Sequence, residues 1–395
     1  MIFSVEIWEH IFIHIDPVSL THLKIICKCW KEIIDKMLQE SILWHKLCKN
    51  KIPEHYWTIL CETLNPNKFY TNFHEKHDAK FWMAMYKLWI KCKNMIKCNT
   101  QITCIEPELK NHPLEYITCI DTSGSLLAVG TSEGFIYFYN ICNLNANIKY
   151  IIDHMEYIKS IKFCRDETNI ICISCSINNH INFWDMNTLK IINKTHGKLI
   201  CTSYSYCYTA MHNIISIEGS IPKTIFQFDS DSIITMGADN NKVLFYTERG
   251  YCVNLKLDEK NLEKKNYTLT YIQPPNIRIR QYYTFKPNII ACITEYGYLG
   301  FLIEGKEWKI HNLFPILHGE PTAILIYGHI LILGLNSGNV HIYYIDSFEA
   351  INFDILNSKK LSLGSTAVIS LNIMVCIEEY LIIGYSNKIY IVNFV

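Results

Sequence analysis

The sequence comprises 395 residues, 49% of them hydrophobic, with 37 basic and 37 acidic side chains and a formal net charge of zero. This length predicts two folding units, and the even charge balance lacks the electrostatic signature of a nucleic-acid or anionic-membrane binder. The first twenty residues have no basic stretch and no apolar run reaches about 18 residues, so the sequence predicts neither a secretory signal nor a membrane helix.

The 17 cysteines are scattered without the spacing of a disulfide framework. With no secretory signal we expect reduced thiols, most of them in the core, in a protein of the cytoplasm or nucleus. Cys172 and Cys175 have the spacing of a metal motif, but they fall in a predicted strand, where residues three apart point to opposite faces. Because structural zinc needs four convergent ligands, we expect neither a metal site nor a cofactor.

Up to about residue 98 the apolar residues recur three and four positions apart, the period of helices. Asp16 and Pro17 mark one helix start, because aspartate accepts hydrogen bonds from the first turn and proline suits the first helical position. Ser4 and Ser41 are predicted to cap two further helices. The pattern from Trp82 to Trp89 predicts a helix that packs one face on a neighbouring element.

After about residue 101 the period changes to two, with short β-branched and aromatic runs between Gly, Asn, Ser and Asp. Gly and Asn tolerate the positive φ of tight hairpin turns. Six such turns are visible: Glu133-Gly134, Asn178-Asn179, Asp239-Asn240, Tyr296-Gly297, Ser337-Gly338 and Ser386-Asn387.

The hairpins repeat at the spacing of β-propeller blades. Their third strands are predicted to end near residues 140, 185, 246, 302, 344 and 394. Six or seven blades fit these intervals, and the length favours seven. The last hairpin lacks a fourth strand, and the run Gln101–Ile105 is predicted to supply it and close the ring.

The N-terminal segment resembles the F-box family over about 45 residues. Order, spacing and residue type agree in Phe3 to Ile7, Ile11-Phe12, Asp16 to Leu20, Cys27 to Trp30 and Leu43-Trp44. Ser4 departs from the family's usual proline, which predicts a less rigid docking loop and a weaker adaptor contact. The resemblance implies contacts to a Skp-type adaptor, shared with the box's own core, from Phe3, Glu6, Ile7, Ile11, Phe12, Leu20 and Leu23.

The second part resembles WD repeats, most completely in one blade. There His154 stands in the place of the family's Gly-His, and Trp184-Asp185 is the dipeptide that names the family. A propeller of another family stays an alternative. The expected fold is an α+β multidomain chain, with an all-α F-box at residues 1–48, a helical linker at 49–100 and an all-β WD40-like propeller at 101–395.

This order of domains resembles the F-box/WD-repeat subunits of SCF-type ubiquitin ligases. The resemblance implies a non-catalytic adaptor that binds a Skp-type adaptor and cullin through the F-box and an unknown protein substrate through the propeller. Such an adaptor would increase the reaction rate by holding the substrate close to the ubiquitin-loaded partner enzyme. One alternative is a WD-repeat scaffold without a ligase role. Another is a propeller enzyme such as a glycan hydrolase, but the sequence shows no convergent carboxylate pair, nucleophile motif or phosphate-binding glycine loop.

Arginines are the expected readers of a phosphorylated substrate, because guanidinium groups bind phosphate bidentately. The chain contains only Arg165, Arg249, Arg278 and Arg280. On WD geometry Arg165 is predicted between a first and a second strand and Arg249 between a third and a fourth, both away from the usual substrate face. Arg278 and Arg280 are therefore the candidate substrate contacts, and too few arginines remain to favour a multi-arginine phosphate reader.

Overall fold

The computed structural model divides the chain into two compact units, Met1–Met95 and Ile96–Val395; the finer boundaries at residues 48 and 100 stay a prediction. No helix among the described residues has the length and hydropathy to span a membrane, and their His, Cys, Asp and Glu side chains form no group suited to a metal ion. The structure describes residues 3–53, 56–64, 77–107, 114–143, 149–152, 154–166, 169–203, 206–218, 223–228, 231–239, 242–257, 265–285, 289–303, 306–345, 351, 353–375 and 379–395.

The first unit is built from short helices, as the apolar period predicts. The start of the second helix at Pro17 is confirmed, because the Asp16 carboxylate accepts hydrogen bonds from the backbone N–H of Ser19 at 2.9 Å and from its hydroxyl at 2.6 Å. The helices are α1 (Val5–Phe12), α2 (Pro17–Leu23), α3 (Lys28–Leu38), α4 (Ser41–Lys51), α5 (Trp57–Leu64) and α6 (Ala79–Asn94).

Of the two other predicted helix caps, Ser4 has the predicted position but not the capping bond, and Ser41 is wrong. Ser4 occupies the N-cap position of α1, but its side chain makes no capping bond to the backbone. Its hydroxyl instead donates to the Glu6 carboxylate, the main cause of the lowered pKa of Glu6, because an ionised carboxylate is a stronger acceptor than a neutral one. Ser41 is the first residue of α4, so Glu40 is its N-cap residue, and Glu40 makes no side-chain capping bond either.

The core of the F-box region joins α1, α2 and α3. Phe12, Leu20 and Ile34 lie in one buried cluster. The Trp30 ring packs 5.2 Å from the ring of Phe12 and 4.7 Å from that of Trp8, between ring centroids. Burial of each large apolar side chain contributes about 1.5–3 kcal/mol, so these contacts hold three short helices that would be marginal alone.

Helix α6 packs one face against its neighbours, and this prediction is confirmed. Trp82, Met85 and Trp89 on that face are buried. The Trp82 ring lies 5.5 Å from the ring of Trp57 in α5 and 4.6 Å from that of His45 in α4. These side chains are therefore packing residues rather than a ligand site.

The second unit is a seven-bladed β-propeller of four-stranded antiparallel sheets, the blade count that length favoured. Within each sheet the strands follow one another in chain order, except in the last blade. Blade 1 contains β2 (Ile117–Ser123), β3 (Leu126–Thr131), β4 (Phe135–Asn140) and β5 (Lys149–Ile152); blade 2 contains β6 (Ile158–Asp166), β7 (Asn169–Ser176), β8 (His180–Asp185) and β9 (Lys190–His196); blade 3 contains β10 (Leu199–Thr202), β11 (Cys207–Met211), β12 (Ile214–Glu218) and β13 (Lys223–Gln227); blade 4 contains β14 (Ile233–Asp239), β15 (Lys242–Thr247), β16 (Tyr251–Leu257) and β17 (Lys265–Tyr271).

The remaining three blades complete the ring. A short helix, α7 (Phe314–Leu317), lies in the connection between blades 5 and 6. Blade 5 contains β18 (Ile279–Phe285), β19 (Ile289–Thr294), β20 (Leu299–Ile303) and β21 (Lys309–His311); blade 6 contains β22 (Pro321–Tyr327), β23 (Ile330–Leu335), β24 (Asn339–Tyr344) and β25 (Ser358–Ser362); blade 7 contains β26 (Ser370–Val375), β27 (Glu379–Gly384), β28 (Ile389–Phe394) and β1 (Thr100–Ile105).

The ring closes as predicted, because β1 supplies the fourth strand of blade 7. It pairs antiparallel with β28, from Thr100 opposite Phe394 to Ile105 opposite Ile389. Between blades 7 and 1 the Asn372 side-chain amide donates to the Asp121 carboxylate at 2.8 Å. The two ends of the propeller sequence are thus fastened in one sheet.

One predicted hairpin is assigned to the wrong pair of strands. Asp239 ends β14, the first strand of blade 4, and Asn240 lies outside the described residues. The third strand is β16, which ends at Leu257 rather than near residue 246. The buried run of β15 resembles a third strand in sequence. The long interval between residues 185 and 246 left room for an additional blade, and β10 to β13 form it. The other five turns join second and third strands as predicted.

The alternating direction of the strands in each blade places the connections at two opposite ends of the propeller. Because neighbouring strands run antiparallel, the turns between second and third strands lie at the same end as the connections between blades; we call this end the upper face. First strands of most neighbouring blades contact one another, as the innermost strands of a propeller do. Cys172 and Cys175 pack into different core clusters, as the alternation of a strand requires.

Candidate functional site

Helix α1 and Phe3, just before it, present large apolar side chains to solvent. Phe3, Ile7 and Ile11 are each about half exposed. Ile7 and Ile11 lie one turn apart and therefore on the same side of the helix, and the Phe3 ring packs edge-on at 5.6 Å against the ring of Trp8. The most N-terminal predicted contacts are thus available to a partner.

The other predicted adaptor contacts differ in exposure. Phe12 and Leu20 are 1% and 0% exposed, so they form the core of the box and offer no surface to a partner. Leu23 packs half-buried against the same core. Glu6 is exposed, and its ionised state is favoured by the Ser4 hydroxyl. Of the predicted contacts, Phe3, Glu6, Ile7 and Ile11 are therefore exposed, and Leu23 is half-buried.

Two exposed isoleucines were not predicted as contacts. The helical pattern in the sequence extends to Ile26, but α2 ends at Leu23. Ile25 and Ile26 therefore lie in the turn before α3, with 88% and 58% of their surface exposed. The sequence feature that could have indicated their exposure is their position directly before Cys27, the N-cap residue of α3. The Cys27 Sγ accepts a hydrogen bond from the backbone N–H of Trp30, so the turn that holds the two isoleucines ends there.

The three residues of the predicted repeat signature lie together in blade 2. Ser174 Oγ joins two of them: the ring Nε2 of His154 lies 2.8 Å away, and the indole N–H of Trp184 donates to it at 2.9 Å. The Asp185 carboxylate accepts from the backbone N–H of Asn187 at 2.8 Å. This network ties the blade's entry loop to its second and third strands, so its role is to hold the blade together.

The upper face of blades 1 and 2 carries an exposed apolar surface. We call Leu114, Tyr116, Met155, Tyr157 and Ile177 the upper apolar patch. Met155 is 92% exposed, and the rings of Tyr116 and Tyr157 lie 6.3 Å apart across the blade boundary. The backbone N–H of Ile177 donates to the Tyr157 carbonyl oxygen at 3.0 Å. Exposed apolar groups on such a surface are typical of interaction sites.

A carboxylate with a strongly lowered pKa lies beside this patch. Hydrogen bonds from Asn178, Ser176 and His180 lower the pKa of Glu156 to about 2. The Nδ1 atom of His180 is 3.3 Å from Glu156 Oε2. The rim of blade 2 therefore keeps a negative charge next to an apolar surface at every physiological pH.

The two predicted substrate arginines have different surroundings. Arg278 lies in the connection before β18, largely exposed, with Nη1 3.9 Å from the Glu295 carboxylate. Arg280 lies on β18 itself, and its Nη2 donates at 2.6 Å to the carbonyl oxygen of Pro321 in the next blade. Arg278 is thus free to meet a ligand, whereas one side of the Arg280 guanidinium is engaged in joining blades.

The predicted position of Arg249 is wrong. It lies in the turn between β15 and β16, the second and third strands of blade 4, and therefore on the upper face. Its backbone N–H donates to the Asp231 carboxylate at 3.1 Å. The error follows from the misassigned strands of blade 4. Arg165 lies near the end of the first strand of blade 2, at the opposite face as predicted.

The comparisons with known proteins agree with this architecture. A family model for the F-box domain matches residues 3–39, whereas no curated protein matches the chain. The crystal structure of RRP9 WD40 repeats is similar, with 12% identity and a TM-score of 0.56, over 75% of this chain and 100% of that one. The structure of U3-55K is similar too, with 14% identity and a TM-score of 0.54, over 74% of this chain and 98% of that one.

Identities this low show the fold alone. The architecture fits F-box substrate-recognition adaptors in general, and it is typical of non-catalytic adaptors. The chain therefore carries an F-box domain at residues 3–39, followed by a seven-bladed β-propeller whose structural neighbours are WD40 repeats.

Proposed function

We propose that this chain is the non-catalytic substrate-recognition subunit of an SCF-type ubiquitin ligase, acting in the cytoplasm or nucleus. Its F-box binds a Skp-type adaptor that connects to a cullin, and its propeller binds the protein substrate. The observation that carries the proposal is the F-box at residues 3–39, with Ile7 and Ile11 exposed on α1 and Phe3 exposed just before it, in a chain that continues into a propeller.

The docking energy comes mainly from apolar burial. Complete burial of such a side chain contributes about 1.5–3 kcal/mol, and the half-exposed Phe3, Ile7 and Ile11 each retain about half of that for a partner. Ile25 and Ile26 add to it, because both are more exposed. The sum must offset the loss of translational and rotational freedom, so we expect a few of these side chains to dominate the affinity.

The propeller presents substrate on its upper face. The upper apolar patch and the ionised Glu156 fit an extended apolar segment that carries a basic residue, because the apolar surface supplies affinity and the carboxylate fixes orientation. Arg278 and Arg280 are the proposed contacts for an acidic group in the substrate. The ligase reaction then gains rate from proximity, with no catalytic group needed in this chain.

A scaffold without a ligase role is the second candidate. The observation in its favour is Ser4, which stands where the F-box family usually has proline and makes no capping bond to α1. A docking loop that is not fixed in advance loses affinity on ordering. Measured affinity for the adaptor therefore separates the two candidates.

The test is calorimetric titration of the purified full chain with a Skp-type adaptor. The parent chain is expected to bind, and the double variant Ile7→Asp/Ile11→Asp is expected to lose at least about 100-fold in affinity, because a charge replaces each apolar contact. The control is Ile192→Asp, an exposed isoleucine on the outer strand β9 of the propeller. No binding by the folded parent chain, or equal binding by the double variant, would refute the docking role.

A further inference from the structure

The outer strand of blade 4, β17, differs from the other outer strands of the propeller. Outer strands expose a free backbone edge, and lysines on such strands prevent pairing with another sheet. After Lys265 at its start, β17 has six uncharged residues, Asn266 to Tyr271. The outer strand β1 carries no charged residue, but Ile102 is its one large exposed apolar side chain. Four of the other outer strands likewise begin with a lysine, namely Lys149, Lys190, Lys223 and Lys309, and β25 carries Lys359 and Lys360. What separates β17 is therefore the run of six uncharged residues after Lys265, all of which are exposed.

Every residue of β17 from Asn266 to Tyr271 is exposed. Tyr267, Leu269 and Tyr271 alternate along the strand, so they lie on one face, with 56%, 48% and 61% of their surface exposed. The two tyrosine rings contact other aromatic rings: Tyr267 lies 5.4 Å from Phe226 of β13 in blade 3, and Tyr271 lies 5.5 Å from Tyr251, its cross-strand partner in β16. Of the strands that the structure describes, β17 pairs only with β16. The strand is thus an ordered apolar edge with one side unpaired.

The residues of this edge match a second copy of the same edge. Tyr267-Thr268-Leu269-Thr270-Tyr271 reads identically in both directions. When two such strands pair antiparallel about Leu269, Leu faces Leu, each Thr268 faces a Thr270, and each Tyr267 faces a Tyr271. Cross-strand threonine and aromatic pairs are favourable, and the arrangement has the two-fold symmetry of an isologous dimer.

We propose that β17 is a self-association surface, through which two copies of the chain pair antiparallel in a register centred on Leu269. The two blades 4 then form one continuous eight-stranded sheet. Stable interfaces bury about 1,200–2,000 Å² in total, more than one strand pair covers. The dimer is therefore weak, and the fraction of dimer rises with the protein concentration. The proposal does not depend on the F-box or on the ligase role.

The first test is the mass of the full chain by sedimentation over a wide range of protein concentrations. The parent chain is expected to rise from 46.3 kDa towards twice that mass. Leu269→Lys places two lysines opposite each other on the symmetry axis and is expected to weaken dimerisation at least about tenfold. The control is Ile192→Lys on β9, where an exposed isoleucine already lies between Lys190 and Lys194. It leaves the association unchanged.

The second test concerns the register. Leu269→Lys and Leu269→Glu are each expected to be monomeric alone and to form a heterodimer when mixed, because opposite charges then meet at the axis. Both variants are expected to keep the circular dichroism spectrum and melting temperature of the parent, since residue 269 is on the surface. A parent chain that stays monomeric, or a folded Leu269→Lys variant that dimerises like the parent, would overturn the proposal. A mixture without heterodimer would overturn the register.

Discussion

The buried Ser174 hydroxyl joins two side chains of blade 2, so a small change there tests the role of this hydrogen-bond network. Ser174 is fully buried, and its Oγ is bonded to the ring of His154 and to the indole N–H of Trp184. Ser174→Ala removes one oxygen and leaves the volume almost unchanged. The effect therefore reports hydrogen bonding rather than packing.

The expected cost follows from the groups that lose a partner. The buried indole N–H of Trp184 is left without its acceptor, which costs about 1–3 kcal/mol, and the lost bond to His154 adds about 0.5–1.5 kcal/mol. We expect the free energy of unfolding of the propeller to fall by about 2–4 kcal/mol. At about 2 °C per kcal/mol for a unit of this size, the melting temperature falls by roughly 4–8 °C.

The assay is thermal unfolding followed by hydrogen exchange of the blade 2 strands. The control Ser362→Ala removes an exposed hydroxyl from an outer strand and is expected to change stability by less than about 0.5 kcal/mol. In Trp184→Phe the indole donor is absent, so Ser174→Ala should cost less in that background. The reasoning is refuted if Ser174→Ala melts like the parent, or if the two substitutions add without coupling.

Three further changes have defined outcomes. Burial lowers the pKa of His341 below its usual 6.5, so as the pH falls the unfolded chain binds a proton at this residue before the folded chain does. The free energy of unfolding should therefore decrease from about pH 7 to pH 5, and His341→Gln should flatten this dependence in thermal melts. Gly338 has a φ of +82° and a Cβ there would lie 2.2 Å from a backbone oxygen, so Gly338→Ala should cost more than about 2 kcal/mol in denaturant unfolding, whereas Gly384→Ala, with its nearest neighbour at 3.6 Å, should be nearly neutral. Leu20→Ala in the F-box core should cost about 2–5 kcal/mol, and Ile25→Ala should leave stability unchanged; equal effects of the two would contradict the assignment of core and surface.

The propeller could be predicted from the sequence because its turns are chemically explicit. Gly134, Asn179, Gly297 and Gly338 all adopt positive φ in the turns that the sequence indicates. The closing strand was also predictable. The last blade lacked an outer strand, and the run at 101–105 precedes the first blade without belonging to it. Local chemistry and topology agreed at these positions.

Blade 4 could not be placed from the sequence. The buried run of β15 carries no feature that separates a second strand from a third, and the turn around Arg249 contains one glycine and two charged residues. A shift by one strand exchanges the two faces of the propeller. The position of Arg249 was therefore predicted on the wrong face.

The candidate docking surface was predictable in position but not in exposure. Family resemblance identifies Phe12 and Leu20 along with Phe3 and Ile7, because all belong to one motif. Which of these side chains face inward depends on how α1, α2 and α3 pack against one another. The sequence pattern does not give the angles between these helices. Ile25 was missed for the same reason.

The most direct test of the adaptor role is the amount of cullin that co-purifies with the full chain from cells, measured by quantitative mass spectrometry. The account predicts that the parent chain recovers both a Skp-type adaptor and a cullin, and that Ile7→Asp/Ile11→Asp loses both while keeping the proteins bound to the propeller. Absence of cullin from the parent sample, or its undiminished recovery with the double variant, would contradict the account.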